Sequence, residues 1–225
     1  MPLLYEPLIE SSVRGLSFAD VGGLWNTENE MVSHAIKGGA SRAAMIDMQP
    51  ENNEWWQKFD ERCRQLGVSG YSKFVGSIDD PHLLERTGRY DFVHCSGVIY
   101  HCPNPVWTIR QLRAMTGRYL LLNSMTVPQR ITNTMGEIDF GQGQCLFMPA
   151  ADPKKRAVVE EHFSDIKLRL HDIQWWSGEN PNYSPWWWLW SAETLAQMVE
   201  SAGFRILKKA PSWEGYADFV FAEKE

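Results

Sequence analysis

At 225 residues, with 44% hydrophobic and 22% charged content, the chain is long enough for one large domain with a substantial core and has an ordinary globular composition. A net charge of −6 gives no electrostatic footprint for a polyanion, which disfavours a nucleic-acid partner. No run approaches the ~20 apolar residues of a membrane span. Acids at Glu6 and Glu10 argue against a signal peptide, and Cys63, Cys95, Cys102 and Cys145 form no CxxC pair, so a cytoplasmic protein with reduced thiols and no membrane contact is expected.

In chain order, residues 1–15 form a leader with two prolines, expected to pack over the sheet or the mouth of a site. Residues 17–21 read as a first buried strand, followed by Gly22-Gly23 and a helix through about Ile36, with Thr27 and Glu30 as its capping box and Gly38-Gly39 as its stop. Residues 42–48 form a second strand, apolar enough to be buried on both faces. Trp55, Trp56, Phe59, Cys63 and Leu66 recur at helical spacing up to Gly67. A third strand covers 71–75, and Asp80-Pro81 opens a short helix ending near Gly88. A fourth strand covers 91–95. Pro103-Asn104-Pro105 then starts a helix with Val106, Ile109, Leu112 and Met115 on one face, closed by Gly117, and a fifth strand covers 119–122.

There the alternation breaks. Residues 126–190 hold Gly141-Gln142-Gly143, several prolines, a charged helical piece near 154–163, and the Trp175-Trp176 and Trp186-Trp187-Trp188 clusters. A stretch this long without alternation reads as an insertion with a functional role inside a single 1–225 domain. Four Trp within five positions (186–190) cannot all face one side, so at least one is expected to line a pocket or interface. Order returns with Ser191 capping a helix whose inward face is Leu195, Met198 and Val199, with Trp190 as a staple on Leu195 and Gly203 at its end. Two closing strands follow at 204–207 and 218–222.

The glycine turn separates the nucleotide folds. A dinucleotide site needs G-x-G-x-x-G and a phosphate loop needs a closing Gly-Lys-Ser/Thr, whereas this chain has Gly22-Gly23 and no further glycine until Gly38. With no pyrophosphate to cradle, the following helix start still suits one small anion such as an amino-acid carboxylate. Asp20 is placed to bind an ammonium or order water beneath such a ligand. Asp47, at the tip of the second strand, suits a ribose diol, because one carboxylate accepts two hydroxyl hydrogen bonds. Asp79 could accept from an adenine amino group or cap the next helix, and Gly97 after Ser96 lets a ligand pass close to backbone.

Phe18-Ala19-Asp20-Val21-Gly22, Ile46-Asp47, Tyr90-Asp91-Phe92-Val93, Gly97-Val98-Ile99-Tyr100-His101 and the late Trp-rich run before a helix resemble class I S-adenosylmethionine-dependent methyltransferases. The nearest likeness is to the branch with a GVLYH-like motif, which includes tRNA wobble-uridine carboxymethyltransferases and small-molecule methyltransferases. The resemblance implies a Rossmann-like doubly wound α/β fold: a seven-stranded sheet, mostly parallel with an antiparallel last strand, plus an insertion after the fifth strand. It also implies S-adenosyl-L-methionine as cofactor. Asp20, Gly22, Gly23 and Leu24 would hold the methionine end, Asp47 and Met48 the ribose side, and Ile78 with Asp79 the adenine. Ser96 and Gly97 would line the sulfonium side, with Tyr100 nearby. Leu24 and Asn26 depart from the family, standing where it usually has two further glycines.

Methyl transfer is an in-line displacement that needs orientation, and a base only where the acceptor must lose a proton. His101 is the candidate base, its alternative being a hydrogen bond that stabilises the loop before Pro103; His171 and Tyr183 are weaker candidates. Tyr183, Trp186 and Trp187 are expected to form an aromatic wall for a flat or cationic acceptor, and no metal cluster is expected. The expected activity is methyl transfer to a small molecule. A tRNA-modifying alkyltransferase and a non-catalytic cofactor-binding partner protein are the alternatives.

Overall fold

The computed structural model describes residues 5–25, 27, 30–141, 143–164 and 188–225. Its strands are β1 (Ser17–Val21), β2 (Arg42–Asp47), β3 (Tyr71–Val75), β4 (Tyr90–Ser96), β5 (Thr116–Met125), β6 (Arg130–Asn133), β7 (Gly136–Asp139), β8 (Cys145–Phe147), β9 (Trp188–Trp190), β10 (Phe204–Ser212) and β11 (Ala217–Lys224). The helices are α1 (Glu6–Ser12), α2 (Val32–Lys37), α3 (Glu54–Gln65), α4 (Leu83–Thr87), α5 (Pro105–Met115), α6 (Pro153–His162) and α7 (Ala192–Ser201).

Seven strands form the main sheet in the order β10-β11-β5-β4-β1-β2-β3. The pairs from β3 to β5 are parallel, and β11 runs antiparallel to both β5 and β10. The connections run one way from β1 to β2 and β3 and the other way to β4 and β5. The carboxyl ends of β1 and β4 therefore flank a topological switch point, where doubly wound sheets open a ligand crevice.

Strands buried on both faces explain the unbroken apolar runs that betray them in the sequence. One face carries α1, α2 and α3, with Ile9, Val32, Phe59, Phe18, Phe92 and Phe219 in a common core. The other carries α4, α5 and α7, with Leu83, Leu112, Leu195, Val93, Leu120 and Val220. The leader expected to cover the sheet does so through α1, which plants Tyr5 and Ile9, both fully buried, on the first face.

Several boundaries differ from expectation for identifiable reasons. Helix α2 starts at Val32 without a Thr27 cap. Thr27 sits at φ 56° in a turn closed on Leu24, and the Glu30 carboxylate itself accepts from the Ser33 N–H at 2.9 Å. Asp80 caps the turn before α4, accepting from the His82 N–H at 2.9 Å, so that helix begins two residues beyond Pro81. On α5, Val106 faces solvent at 71% exposure while Ile109, Leu112 and Met115 are buried; Pro105 and Thr108 complete the inner face. Strand β5 reaches Met125 because β11 pairs with it along Tyr119 to Met125.

Within 126–190, β6 and β7 form a hairpin, α6 occupies the expected charged piece, and β8 pairs with β9 through Cys145↔Trp190 and Phe147↔Trp188. Trp190 is fully buried and donates through Nε1 to Ser124 Oγ at 3.2 Å, fixing the C-terminal end of this stretch to the sheet. Ser191 caps α7 as expected, with Leu195 and Val199 buried.

Candidate active site

Strand β1 delivers Asp20 to the switch point, fully buried. Its Oδ2 accepts from the Met31 N–H at 2.7 Å, and its Oδ1 lies 2.7 Å from His94 Nδ1 on the neighbouring strand β4. Gly22 and Gly23 are needed for two different reasons. Gly22 has φ 79°, and a Cβ there would stand 2.2 Å from Val98 Cγ2; a Cβ at Gly23 would stand 2.2 Å from Asp20 Oδ2. The turn is thus packed onto the β4 loop on one side and onto its own strand's carboxylate on the other.

Leu24 follows, fully buried, and its N–H donates to Asp47 Oδ2 at 3.2 Å. Asp47 Oδ1 accepts from the Gln49 N–H at 3.0 Å. Burial raises the Asp47 carboxyl to about 6, even though the Gln49 and Leu24 amides pull the other way. The Leu24 and Gln49 N–H groups take one acceptor position on each oxygen and the Met48 amide adds a smaller pull; a diol would use the remaining acceptor capacity. Met48 is half-buried beside it. Asp20, Gly22, Gly23, Leu24 and Asp47 therefore form one constellation across the ends of β1 and β2.

A second group gathers at the end of β4. Ser96 Oγ accepts from Asn123 Nδ2 at 3.0 Å and lies 3.3 Å from the Tyr5 hydroxyl. Gly97, at φ 75°, donates its N–H to the Asn123 carbonyl at 3.1 Å. A Cβ at Gly97 would meet Trp213 Cη2 at 3.3 Å and the Tyr100 hydroxyl at 3.8 Å, so this glycine is flanked by two aromatic side chains. Tyr100 is buried, which raises its phenol, and its ring lies 4.2 Å from that of His101. Val98 packing on Gly22 joins this group to the first.

Ile78 and Asp79 are held differently. Ile78 is buried in the α4/α5 core. Asp79 Oδ1 accepts from the Thr108 hydroxyl at 2.6 Å and its carbonyl accepts from Trp107 Nε1 at 3.0 Å, tying the β3 loop to α5. Burial raises the Asp79 carboxyl against its Thr108 and Cys102 hydrogen bonds. Asn26, His171, Trp175, Trp176, Tyr183, Trp186 and Trp187 lie outside the described residues.

Sequence reasoning passed over His94, Trp213, Tyr5 and Asn123. The one available signal was His94 itself, a polar residue inside the apolar run 90–95. Trp213 and Glu214 adopt left-handed conformations at φ 44° and 58°, uncommon for residues with a Cβ, and hold the indole against Gly97. The adjoining Glu214 and Tyr216 line an open groove of about 640 Å³ with Thr126, Gln129, Ser191 and Asp218, within the size range of small-molecule sites. Trp188 Nε1 donates to the Cys102 carbonyl at 3.1 Å, so the end of the 126–190 stretch buttresses the loop carrying Tyr100 and His101. Among the described residues no group of three His, Cys, Asp or Glu is placed to hold a metal, and no helix is long and apolar enough to cross a membrane.

The sequence matches the methyltransferase domain family over residues 26–209, a span that begins just after the Asp20–Leu24 turn. No protein of curated function matches it. Among solved structures, magnesium protoporphyrin IX methyltransferase from Synechocystis PCC 6803 with bound SAH is 12% identical at TM-score 0.60, covering 98% of this chain and 84% of that one. A SAM-dependent methyltransferase from Aquifex aeolicus is 14% identical at TM-score 0.54, covering 98% of this chain and 88% of that one. Mitomycin 7-O-methyltransferase is 13% identical at TM-score 0.57; the match covers 99% of this chain and 54% of that one. At these identities the likeness is one of fold.

Proposed function

The chain belongs to the methyltransferase domain family, S-adenosylmethionine-dependent enzymes of the class I fold, and we propose that it methylates a small-molecule acceptor. The observation that carries the placement of the donor is the Asp47 carboxylate facing the glycine turn, 3.2 Å from the Leu24 N–H across the ends of β1 and β2. The residues present fit the donor's nucleoside and amino-acid parts: a diol acceptor in Asp47 and a close-packed turn at Gly22 and Gly23.

When bound, the sulfonium supplies an electrophilic methyl group. The chain's residues would do the rest. Asp47 takes the ribose hydroxyls, with Met48 on its apolar flank. Ile78 and Asp79 define the adenine edge from the β3 loop. Asp20, Gly22, Gly23 and Leu24 shape the methionine end, and Ser96, Gly97 and Tyr100 line the reacting side. His101, on the loop braced by Trp188, would take a proton from an acceptor that must lose one.

We assign the acceptor to the groove beside the β10–β11 turn, within a single 1–225 domain whose 126–190 insertion caps the substrate. The aromatic residues Tyr183, Trp186 and Trp187 of that insertion would supply its wall. Small acceptors are favoured over nucleic acid by the charge of −6. The test is methyl release from S-adenosylmethionine with a panel of small phenols, amines and carboxylic acids, set against bulk tRNA. Turnover on members of the panel is expected; turnover on tRNA alone would overturn the acceptor class.

A further inference from the structure

We propose that His94 is a positioning residue for the donor site, acting through Asp20; this rests on the reading above that residues 20–24 shape that site. His94 stands in β4 between Val93 and Cys95, and all three are fully buried. An imidazole among apolar neighbours is costly unless it is hydrogen-bonded. Its Nδ1 lies 2.7 Å from Asp20 Oδ1. An aspartate carboxylate only accepts, so Nδ1 is the donor.

The other oxygen, Oδ2, accepts from the N–H of Met31, the residue that opens α2, at 2.7 Å. Gly23 lies over that same oxygen so closely that a Cβ would come within 2.2 Å of it. One carboxylate thus connects β4, the start of α2 and the glycine turn. The imidazole sets its rotation, because it is the hydrogen-bond donor to Oδ1 while the Met31 N–H holds Oδ2 and Gly23 lies over both oxygens. Without it the carboxylate is free to turn, Met31 loses its acceptor, and Gly23 loses the surface it packs on.

Among the described residues the buried His94 Nε2 has no hydrogen-bond partner, and the Tyr5 ring is centred 5.4 Å away. An unsatisfied ring nitrogen lowers stability, so the contribution of the imidazole is made at Nδ1.

The experiment compares His94→Asn, His94→Gln and His94→Leu with the wild type by calorimetric titration with S-adenosylhomocysteine, recording Tm in parallel. Asn places an amide N–H near the Nδ1 position, Gln places it near Nε2, and Leu has none. His94→Asn should bind within about threefold of wild type, while His94→Gln and His94→Leu weaken by about tenfold or more, the value of one charge-assisted hydrogen bond. Equal affinity in all three variants, or losses that follow Tm alone, would overturn the proposal. The wild-type protein gives a second reading by nitrogen NMR of the ring. The Nδ1–H tautomer, with a resonance that shifts on adding S-adenosylhomocysteine, is expected, and an Nε2–H tautomer overturns the proposal even where the variants do not fold. A wild type that fails to bind removes the donor site and the proposal with it; a wild type that binds no better than His94→Gln removes the proposal only.

Discussion

The backbone amides of Gln49, Leu24 and Met48 all pull the Asp47 carboxyl down, yet burial still raises it to about 6. That position above the ordinary aspartate value of about 4 has a definite sign. The group contributes stability that is fully present below about pH 4 and lost as pH rises through about 6, on the order of 3 kcal/mol in all. Ribose hydroxyls donate to the ionised form, so donor binding runs the opposite way. Affinity for S-adenosylhomocysteine should be level above about pH 7 and fall by up to about tenfold per unit below 6, until the carboxylate of the complex itself protonates. In Asp47→Asn this dependence should vanish, as calorimetric titrations at pH 5, 6, 7 and 8 would show. His94 was missed at this same scale because its partner Asp20 is 74 residues away in sequence. Only the register that sets Asp20 opposite His94 brings them together, and register is not written in either strand's pattern.

Among elements, the glycine turn is the least tolerant. Gly22→Ala would drive a Cβ to 2.2 Å from Val98 Cγ2 at φ 79°, so both packing and backbone oppose it. Loss of S-adenosylhomocysteine binding together with a Tm drop of several degrees is expected, and Val98→Ala in the same chain should recover only part, because the backbone strain of about 1 kcal/mol remains. Ser191→Ala removes the α7 cap that accepts from the Thr194 N–H, which should cost about 1 kcal/mol and lower Tm by about 2–4 °C without touching donor affinity. Strands and helices were legible where apolar periodicity ended in Gly, as at Gly67 after α3. The start of α2 was not. Thr27 and Glu30 have capping-box spacing, but the left-handed backbone at Thr27 takes its side chain out of the cap and leaves the work to Glu30.

For the whole molecule, the seven strands and the antiparallel last strand followed from seven strand signals and the resemblance, whereas the strand order is given by the structure. The 126–190 stretch was legible as a break in alternation with one charged helical piece, which α6 occupies. Its β6–β7 hairpin and β8–β9 pair are short, and their patterns are too brief to register. Its described end bears on the loop carrying Tyr100 and His101 through the Trp188 bond to Cys102. Trp188→Phe keeps the ring and removes that hydrogen bond, worth about 1 kcal/mol. It should change KM for a turned-over acceptor while leaving S-adenosylhomocysteine affinity within about twofold, the split expected if the insertion serves the acceptor and the sheet serves the donor.

The central claim is that the Asp47 carboxylate and the glycine turn form the donor site. Calorimetric titration of the folded wild type and Asp47→Ala with S-adenosylhomocysteine at pH 7.5 tests it most directly. One saturable site is expected in the wild type, with Asp47→Ala weaker by about 2–4 kcal/mol, the value of a charge-assisted pair of hydrogen bonds. No saturable binding by a folded wild type, or equal affinity in the two proteins, would contradict it.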